Sequence, residues 1–218
     1  MSPLQQKNIL VSPSLLAADL GRLSEEVRAL ESGGADRLHF DVMDGHFVPN
    51  LTFGPGTLAA IRPHTHLPID VHLMVTCPEA LLKGFCEAGA DSLTLHVETS
   101  PPLRLFETIQ GLGIEAGIAL NPGTNPELIR PYLDGIQHIL VMTVHPGFGG
   151  QVFQKEAALK IPQLVSLRAK RPIAIHVDGG ITARHGNLLR DLGADVLIAG
   201  TSILKTPCYK TAIESIKS

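Results

Sequence analysis

The chain has 218 residues, 44% of them hydrophobic but only 4% aromatic and none Trp, so it is no disulfide-stapled miniprotein and calls for a large aliphatic core in a single domain, 1–218. Its 21 Gly and 16 Pro are scattered, which disfavours coiled coils, long bundles and low-complexity disorder and cuts the chain into many short elements. A net charge of -3 without a basic run speaks against nucleic acid as a partner.

No charged leader with an apolar stretch follows Met1, and no apolar run approaches the ~18 residues that cross a bilayer, so the reading is a cytoplasmic protein that binds no membrane. Cys77, Cys86 and Cys208 are odd in number and lack C-x-x-C spacing, as expected of reduced thiols.

In chain order, short β-branched and aliphatic runs predict strands at 9–13, 37–42, 69–74, 92–97, 114–119, 139–144, 173–177 and 196–199. Helices are expected between them. Leu20, Leu23, Val27 and Leu30 share one helical face, and Thr182 is placed to cap a helix carrying Leu188, Leu189 and Leu192.

Gly34-Ala35-Asp36 recurs as Gly89-Ala90-Asp91 and Gly193-Ala194-Asp195, each after a helix and before a strand, with the glycine as a left-handed helix end. These glycines stand 55 and 104 residues apart, close to 1:2, as two and four strand-helix units would give. About eight such units fill the chain, the count of a (β/α)8 TIM barrel. A doubly wound sheet would carry a Gly-rich turn after its first strand, where this chain has Ser12-Pro13-Ser14-Leu15-Leu16. Aliphatic layers are expected to fill the barrel.

Chemistry in such a barrel belongs at the C-terminal strand ends. His39, Asp41 and Met43 alternate onto one face of the second strand, Asp70, His72 and Met74 onto one face of the third, and the seventh ends in His176-Val177-Asp178-Gly179-Gly180. His39, Asp41, His72 and Asp178 could converge on a divalent cation, since imidazole and carboxylate together suit one and unpaired interior carboxylates are costly. His96, His138 and His176 read as hydrogen-bonded core residues. Asp44 before Gly45 fits a loop cap as well as a catalytic role.

Gly147, Gly149 and Gly150, then Gly179 and Gly180, then Gly200 with Thr201 follow three consecutive strands, and backbone N–H groups there would cradle the phosphate of a small molecule. No lysine lies in or just after a strand, which argues against Schiff-base chemistry, and no G-x-S-x-G or Walker sequence occurs.

Ser12-Pro13-Ser14-Leu15-Leu16, the stretches 38–50 (LHFDVMDGHFVPN) and 141–151 (VMTVHPGFGGQ), His72-Leu73-Met74-Val75 and Val177-Asp178-Gly179-Gly180-Ile181 resemble the ribulose-phosphate 3-epimerase family. The resemblance implies a (β/α)8 barrel of the pentose phosphate pathway that interconverts D-ribulose 5-phosphate and D-xylulose 5-phosphate. It implies one divalent cation per subunit (Zn2+, Fe2+, Mn2+ or Co2+) and a homo-oligomer. By position, the metal ligands would be His39, Asp41, His72 and Asp178. Asp41 would remove the C3 proton, the metal would stabilise the enediolate, and Asp178 would return a proton from the opposite side. Substrate contacts would fall on Ser14, His72, Gly147, Phe148, Gly149, Gly150, Asp178, Gly179, Gly180, Gly200 and Thr201, with Met43, Met74 and Met142 lining the site.

Thr201 stands where pentose-specific members often have Ser, a version that also resembles allulose-6-phosphate 3-epimerases, and His145 stands where many members carry Glu or Asp. A non-catalytic sugar-phosphate-binding barrel would need the glycines but neither ionisable Asp.

Overall fold

In the computed structural model, which describes residues 8–218, eight parallel strands form one sheet. They are β1 (Leu10–Pro13), β2 (Leu38–Met43), β3 (Ile69–Met74), β4 (Ser92–His96), β5 (Glu115–Leu120), β6 (His138–Met142), β7 (Ala174–Asp178) and β8 (Val196–Ala199). Residues 1–7, which include most of the segment read above for a leader, lie outside the described residues. The order β1-β8-β7-β6-β5-β4-β3-β2 curls into a barrel, and a single parallel bridge between Ser14 and His39 completes the ring. A doubly wound sheet does not close in this way. Among the described residues, no helix is long and apolar enough to cross a membrane.

Two-residue periodicity sorts each strand into two faces. Leu38, Phe40 and Val42 of β2, like Ile69, Val71 and Leu73 of β3, join the large core between sheet and helices, where Phe40 stacks on Phe53 at 4.6 Å. His39, Asp41 and Met43, with Asp70, His72 and Met74, therefore turn inward. The aliphatic core is thus outside the sheet, and the expectation that aliphatic layers fill the barrel is overturned. Inside, Ser12, His39, Asp70, Ser92, Thr94, His138 and His176 are all buried, beside a small apolar cluster of Ala119, Leu140, Met142 and Ile198. Asp70 ties much of the polar layer together, accepting from Ser92 Oγ at 2.7 Å, Thr94 Oγ1 at 3.0 Å and His39 Nδ1 at 3.1 Å, while Ser12 Oγ and His138 Nδ1 are buried without a hydrogen-bond partner among the described residues. Gly117 makes room for it, since a Cβ there would lie 2.0 Å from His138 Nε2.

The recurring Gly-Ala-Asp has a physical reason beyond the turn. Gly34, Gly89 and Gly193 have φ of 84°, 96° and 109°, the left-handed helix ends expected. The aspartate that follows reaches back to the preceding strand: Asp36 Oδ2 accepts from Val11 N at 2.7 Å, Asp91 Oδ2 from Ile69 N at 2.8 Å and Asp195 Oδ2 from Ile175 N at 2.8 Å. Lys217, Arg62 and Arg168 pair with the three carboxylates. Gln137 takes the same place before β6, its Oε1 accepting from Ala116 N at 2.8 Å. Four clamps therefore join β1–β2, β3–β4, β5–β6 and β7–β8 at the foot of the barrel.

One helix starts later than its periodicity suggests. Asp19 caps a separate turn at Leu20–Arg22, Arg22 leaves helical geometry, and the helix runs Leu23–Ser32, so Leu20 stands 60% exposed instead of on the buried face. Thr182 heads the turn Ala183–His185 in a capping box with His185, and that turn runs directly into the helix Gly186–Leu192.

Candidate active site

The register of β2 on β3 sets His39 beside Asp70, Asp41 beside His72 and Met43 beside Met74. Asp178 ends β7, two strands beyond β1 in the ring. One donor atom from each of His39, Asp41, His72 and Asp178 can be chosen so that all four lie within 4.8 Å of one another.

His39 Nδ1 meets Asp70 Oδ2 at 3.1 Å, and a carboxylate only accepts, so the hydrogen is on Nδ1. Nε2 of the same ring is buried with no hydrogen-bond partner, 3.3 Å from Asp41 Oδ1. An orphaned ring nitrogen beside a second imidazole and two carboxylates is a donor set that fits a divalent cation. Asp41 is 3% exposed; its Oδ2 accepts from Ser14 Oγ at 2.6 Å, and Oδ1 lies 3.1 Å from His72 Nδ1.

The two carboxylates are driven apart in proton affinity. Burial alone would raise Asp41, but the charge of His39 and the charge and hydrogen bond of His72 hold it well below the usual carboxylate range. Burial, then the charge of Asp41, push Asp178 up to about 7. Burial lowers His72 to about 4 against the pull of Asp41, with repulsion from His96 and His39 acting in the same direction as burial. His39 goes the other way: burial opposes its charge, yet Asp41 and Asp70 raise it well above 6.5.

Behind the cluster, His72 Nε2 meets His96 Nε2 at 2.8 Å, and His96 Nδ1 meets Glu98 Oε2 at 2.9 Å. Sequence reasoning misses Asp70, His96 and Glu98 as parts of the site; the signal was the His-x-Glu spacing at the end of β4 and the in-phase Asp70-x-His72. Asp70, His138 and His176 form a second group of potential ligands. There the two imidazoles lie face to face, centroids 4.4 Å apart and planes 8° apart, so their in-plane lone pairs run parallel and do not converge on one ion. His138 Nε2 instead meets Thr94 Oγ1 at 2.6 Å. His96, His138 and His176 are buried, in keeping with the core reading.

Above this floor opens a cavity lined by Ser14, Gly147, Phe148, Gly149, Gly150, Asp178, Gly179, Gly180, Gly200 and Thr201, and by Asp41, Met43, Met74 and Met142. His72, expected among the substrate contacts, is fully buried beneath the floor and is not on the cavity wall. His145, singled out in sequence beside the glycine loop, lines the cavity; Leu16, Ala17, Val144 and Ile198 also line it and were not anticipated as wall, since nothing in their local pattern separates them from core and loop. No lysine lines it.

The glycine loops are held close by backbone approach. At Gly180, φ is +67° and a Cβ would lie 2.5 Å from Phe153 N, so only glycine fits. Thr143 Oγ1 donates to the carbonyls of Asp178 at 2.8 Å and Gly179 at 2.7 Å, tying the β6 loop to the β7 loop. Asn50 Nδ2 donates to Gly147 O at 2.7 Å, tying in the loop after β2.

Asp44 is the cap. Its carboxylate accepts from the N–H groups of His46, Phe47 and Thr76, each at 2.8 Å, and from Thr76 Oγ1 at 3.0 Å. Burial opposes the charge, but those bonds hold its pKa at about 2. The three cysteines are unbridged.

The model of the Ribulose-phosphate 3 epimerase family matches residues 10–204. The ribulose-phosphate 3-epimerase of Bacillus subtilis is 42% identical over 213 residues, 96% of this chain and 98% of that protein. The chloroplastic ribulose-5-phosphate-3-epimerase of Arabidopsis thaliana is 42% identical over 98% of this chain and 78% of its own, and the Rhodobacter capsulatus enzyme 44% over 91% and 87%. Among solved structures, KGPDC from Streptococcus mutans superposes with a TM-score of 0.71 at 15% identity, over 97% of this chain and 96% of that one. At that identity the likeness concerns the fold alone.

Proposed function

This chain belongs to the ribulose-phosphate 3-epimerase family and is an isomerase of that type, and from that premise we propose that it inverts C3 of D-ribulose 5-phosphate with Asp41 and Asp178 as paired base and acid around a divalent cation. The observation that carries the reading is the opposite displacement of two carboxylates that share one cation-sized cluster under a glycine-walled cavity.

Inversion beside a ketone needs a base on one face of the carbon and an acid on the other. Asp41 is held ionised by His39 and His72, so it takes the C3 proton. Asp178 is held protonated near neutrality and delivers its proton from the side of β7. In the reverse direction the roles exchange.

His39, Asp41, His72 and Asp178 would hold the cation. Bound there, it supplies Lewis-acid stabilisation of the negative charge that develops on the substrate oxygens. Met43, Met74 and Met142 present a polarisable apolar wall that keeps water from the planar intermediate. Gly147, Gly149, Gly150, Gly179, Gly180 and Gly200 with Thr201 would receive the phosphate through backbone N–H groups.

The names of the relatives favour the five-carbon ketose. The test is kcat/KM on ribulose 5-phosphate against allulose 6-phosphate: a preference for the six-carbon sugar sinks the substrate assignment. Incubation with ribulose 5-phosphate in heavy water should place deuterium at C3, and its absence sinks the proton-transfer scheme and leaves a sugar-phosphate-binding barrel. Metal-stripped protein should be inactive and recover with added Zn2+, Fe2+, Mn2+ or Co2+.

A further inference from the structure

A ligating histidine must offer a lone pair, and which ring nitrogen offers it is decided by what the other nitrogen does. For His39 the arrangement is direct. Asp70 accepts from Nδ1, which leaves Nε2 toward the cluster. For His72 the ring nitrogen nearest Asp41 is Nδ1, at 3.1 Å from Oδ1, and no carboxylate meets Nε2.

Nε2 of His72 meets another imidazole instead. The 2.8 Å contact between the two Nε2 atoms, with centroids 5.0 Å apart and 26° between planes, is a head-to-head bond between ring edges. One nitrogen must donate and the other accept, so the pair is ambiguous until its far end is fixed. That far end is Glu98, whose Oε2 lies 2.9 Å from His96 Nδ1. Glu98 is itself anchored: its Oε1 accepts from Asn121 N at 2.7 Å and from Thr124 Oγ1. Its side chain is 22% exposed, and His96 is buried.

We infer that Glu98 is a positioning residue that, acting through His96, sets the ring tautomer in which His72 presents Nδ1 to the cation. Glu98 can only accept, so His96 carries hydrogen on Nδ1 and offers its Nε2 lone pair. In the cation-free cluster His72 Nδ1 donates to Asp41 Oδ1; a cation that both residues ligate requires that hydrogen on Nε2 instead, where the His96 Nε2 lone pair accepts it and leaves the Nδ1 lone pair free to ligate. The inference rests on the metal reading of the site given above and adds to it a residue that touches neither substrate nor cation.

Glu98→Gln tests it at nearly constant shape. With Asn121 N–H and Thr124 holding the amide oxygen, the amide N–H2 faces His96 Nδ1 and drives the hydrogen to Nε2, against His72. Zn2+ affinity, measured by chelator competition, should fall about tenfold, the lower end of what loss of an outer ligand partner costs. Long-range 1H–15N NMR of the Zn2+-loaded wild type should show His96 protonated on Nδ1 and His72 on Nε2, and Glu98→Gln should lose that pattern. Thr124→Ala, which spares the Glu98–His96 bond, should keep both pattern and affinity.

The inference is overturned if His96 of the Zn2+-loaded wild type carries its hydrogen on Nε2, a measurement that needs no variant to fold. It is equally overturned if Glu98→Gln keeps the wild-type tautomers and binds Zn2+ within twofold of wild type. A wild type that binds no Zn2+ would instead remove the metal reading itself, and the relay with it.

Discussion

Ser14 Oγ donates to Asp41 Oδ2 at 2.6 Å across the point where β1 meets β2 and a single bridge closes the barrel. The hydroxyl expected to touch substrate is therefore also a partner of the proposed base, and it lines the cavity as well. Ser14→Ala removes a bond to an ionised carboxylate, worth about 1.5–3 kcal/mol, so kcat should fall roughly 10- to 100-fold. Steady-state kinetics check this, and the thermal unfolding midpoint should fall by the several degrees that such a loss implies for a chain of this length. An unchanged kcat would mean that the hydroxyl does not hold Asp41 for proton abstraction.

Asp178→Asn removes the acid while leaving Asp41 in place. Epimerisation should drop by about 10²–10⁴-fold, the usual contribution of a positioned acid or base. Solvent deuterium should still enter C3 of ribulose 5-phosphate without inversion, because Asp41 can remove and return a proton on its own face. Mass spectrometry and NMR of recovered substrate separate exchange from inversion. Normal turnover in this variant would end the two-carboxylate scheme.

The metal-free protein should be most stable near pH 6.5. His39 is raised in the folded state, so its contribution is fully present below 6.5 and is lost as pH climbs through the raised value. His72, lowered to about 4, and His176, also lowered by burial first, refuse protons that the unfolded chain accepts, so stability falls as pH drops from 6.5. A cation at the cluster takes the place of the His39 proton and should flatten the alkaline limb. Urea titrations across pH 5–9, with and without Zn2+, read this directly; an alkaline limb indifferent to Zn2+ would count against His39 as a ligand.

At the opposite end of the barrel, Asp91→Ala removes the acceptor of Ile69 N–H and the partner of Arg62. The expected cost is about 1–3 kcal/mol of stability in urea unfolding. Turnover of the folded enzyme should not change, because catalysis belongs to the other face.

All eight strands were legible because each is a short run whose periodicity and composition agree. His39, Asp41, His72 and Asp178 were legible because they alternate in phase at strand ends. The partners behind them were not. That Asp70 serves His39, and that Glu98 reaches His72 through His96, depends on strand register and ring orientation, which alternation along one strand does not determine. The polar barrel interior was hidden for a related reason: overall composition cannot say on which side of a sheet the aliphatic residues lie. Gln137 escaped the Gly-Ala-Asp pattern because an amide does the work of the carboxylate there, while Leu20 misled because Asp19 offers an earlier cap.

The clamps of Asp36, Asp91, Gln137 and Asp195 divide the ring into four two-strand staves, each fastened within itself. A break in the polypeptide between β2 and β3, β4 and β5, or β6 and β7 leaves every fastening whole, whereas a break inside a stave separates a strand from its clasp. The barrel thus carries its own preferred joints for circular permutation and for reassembly from fragments.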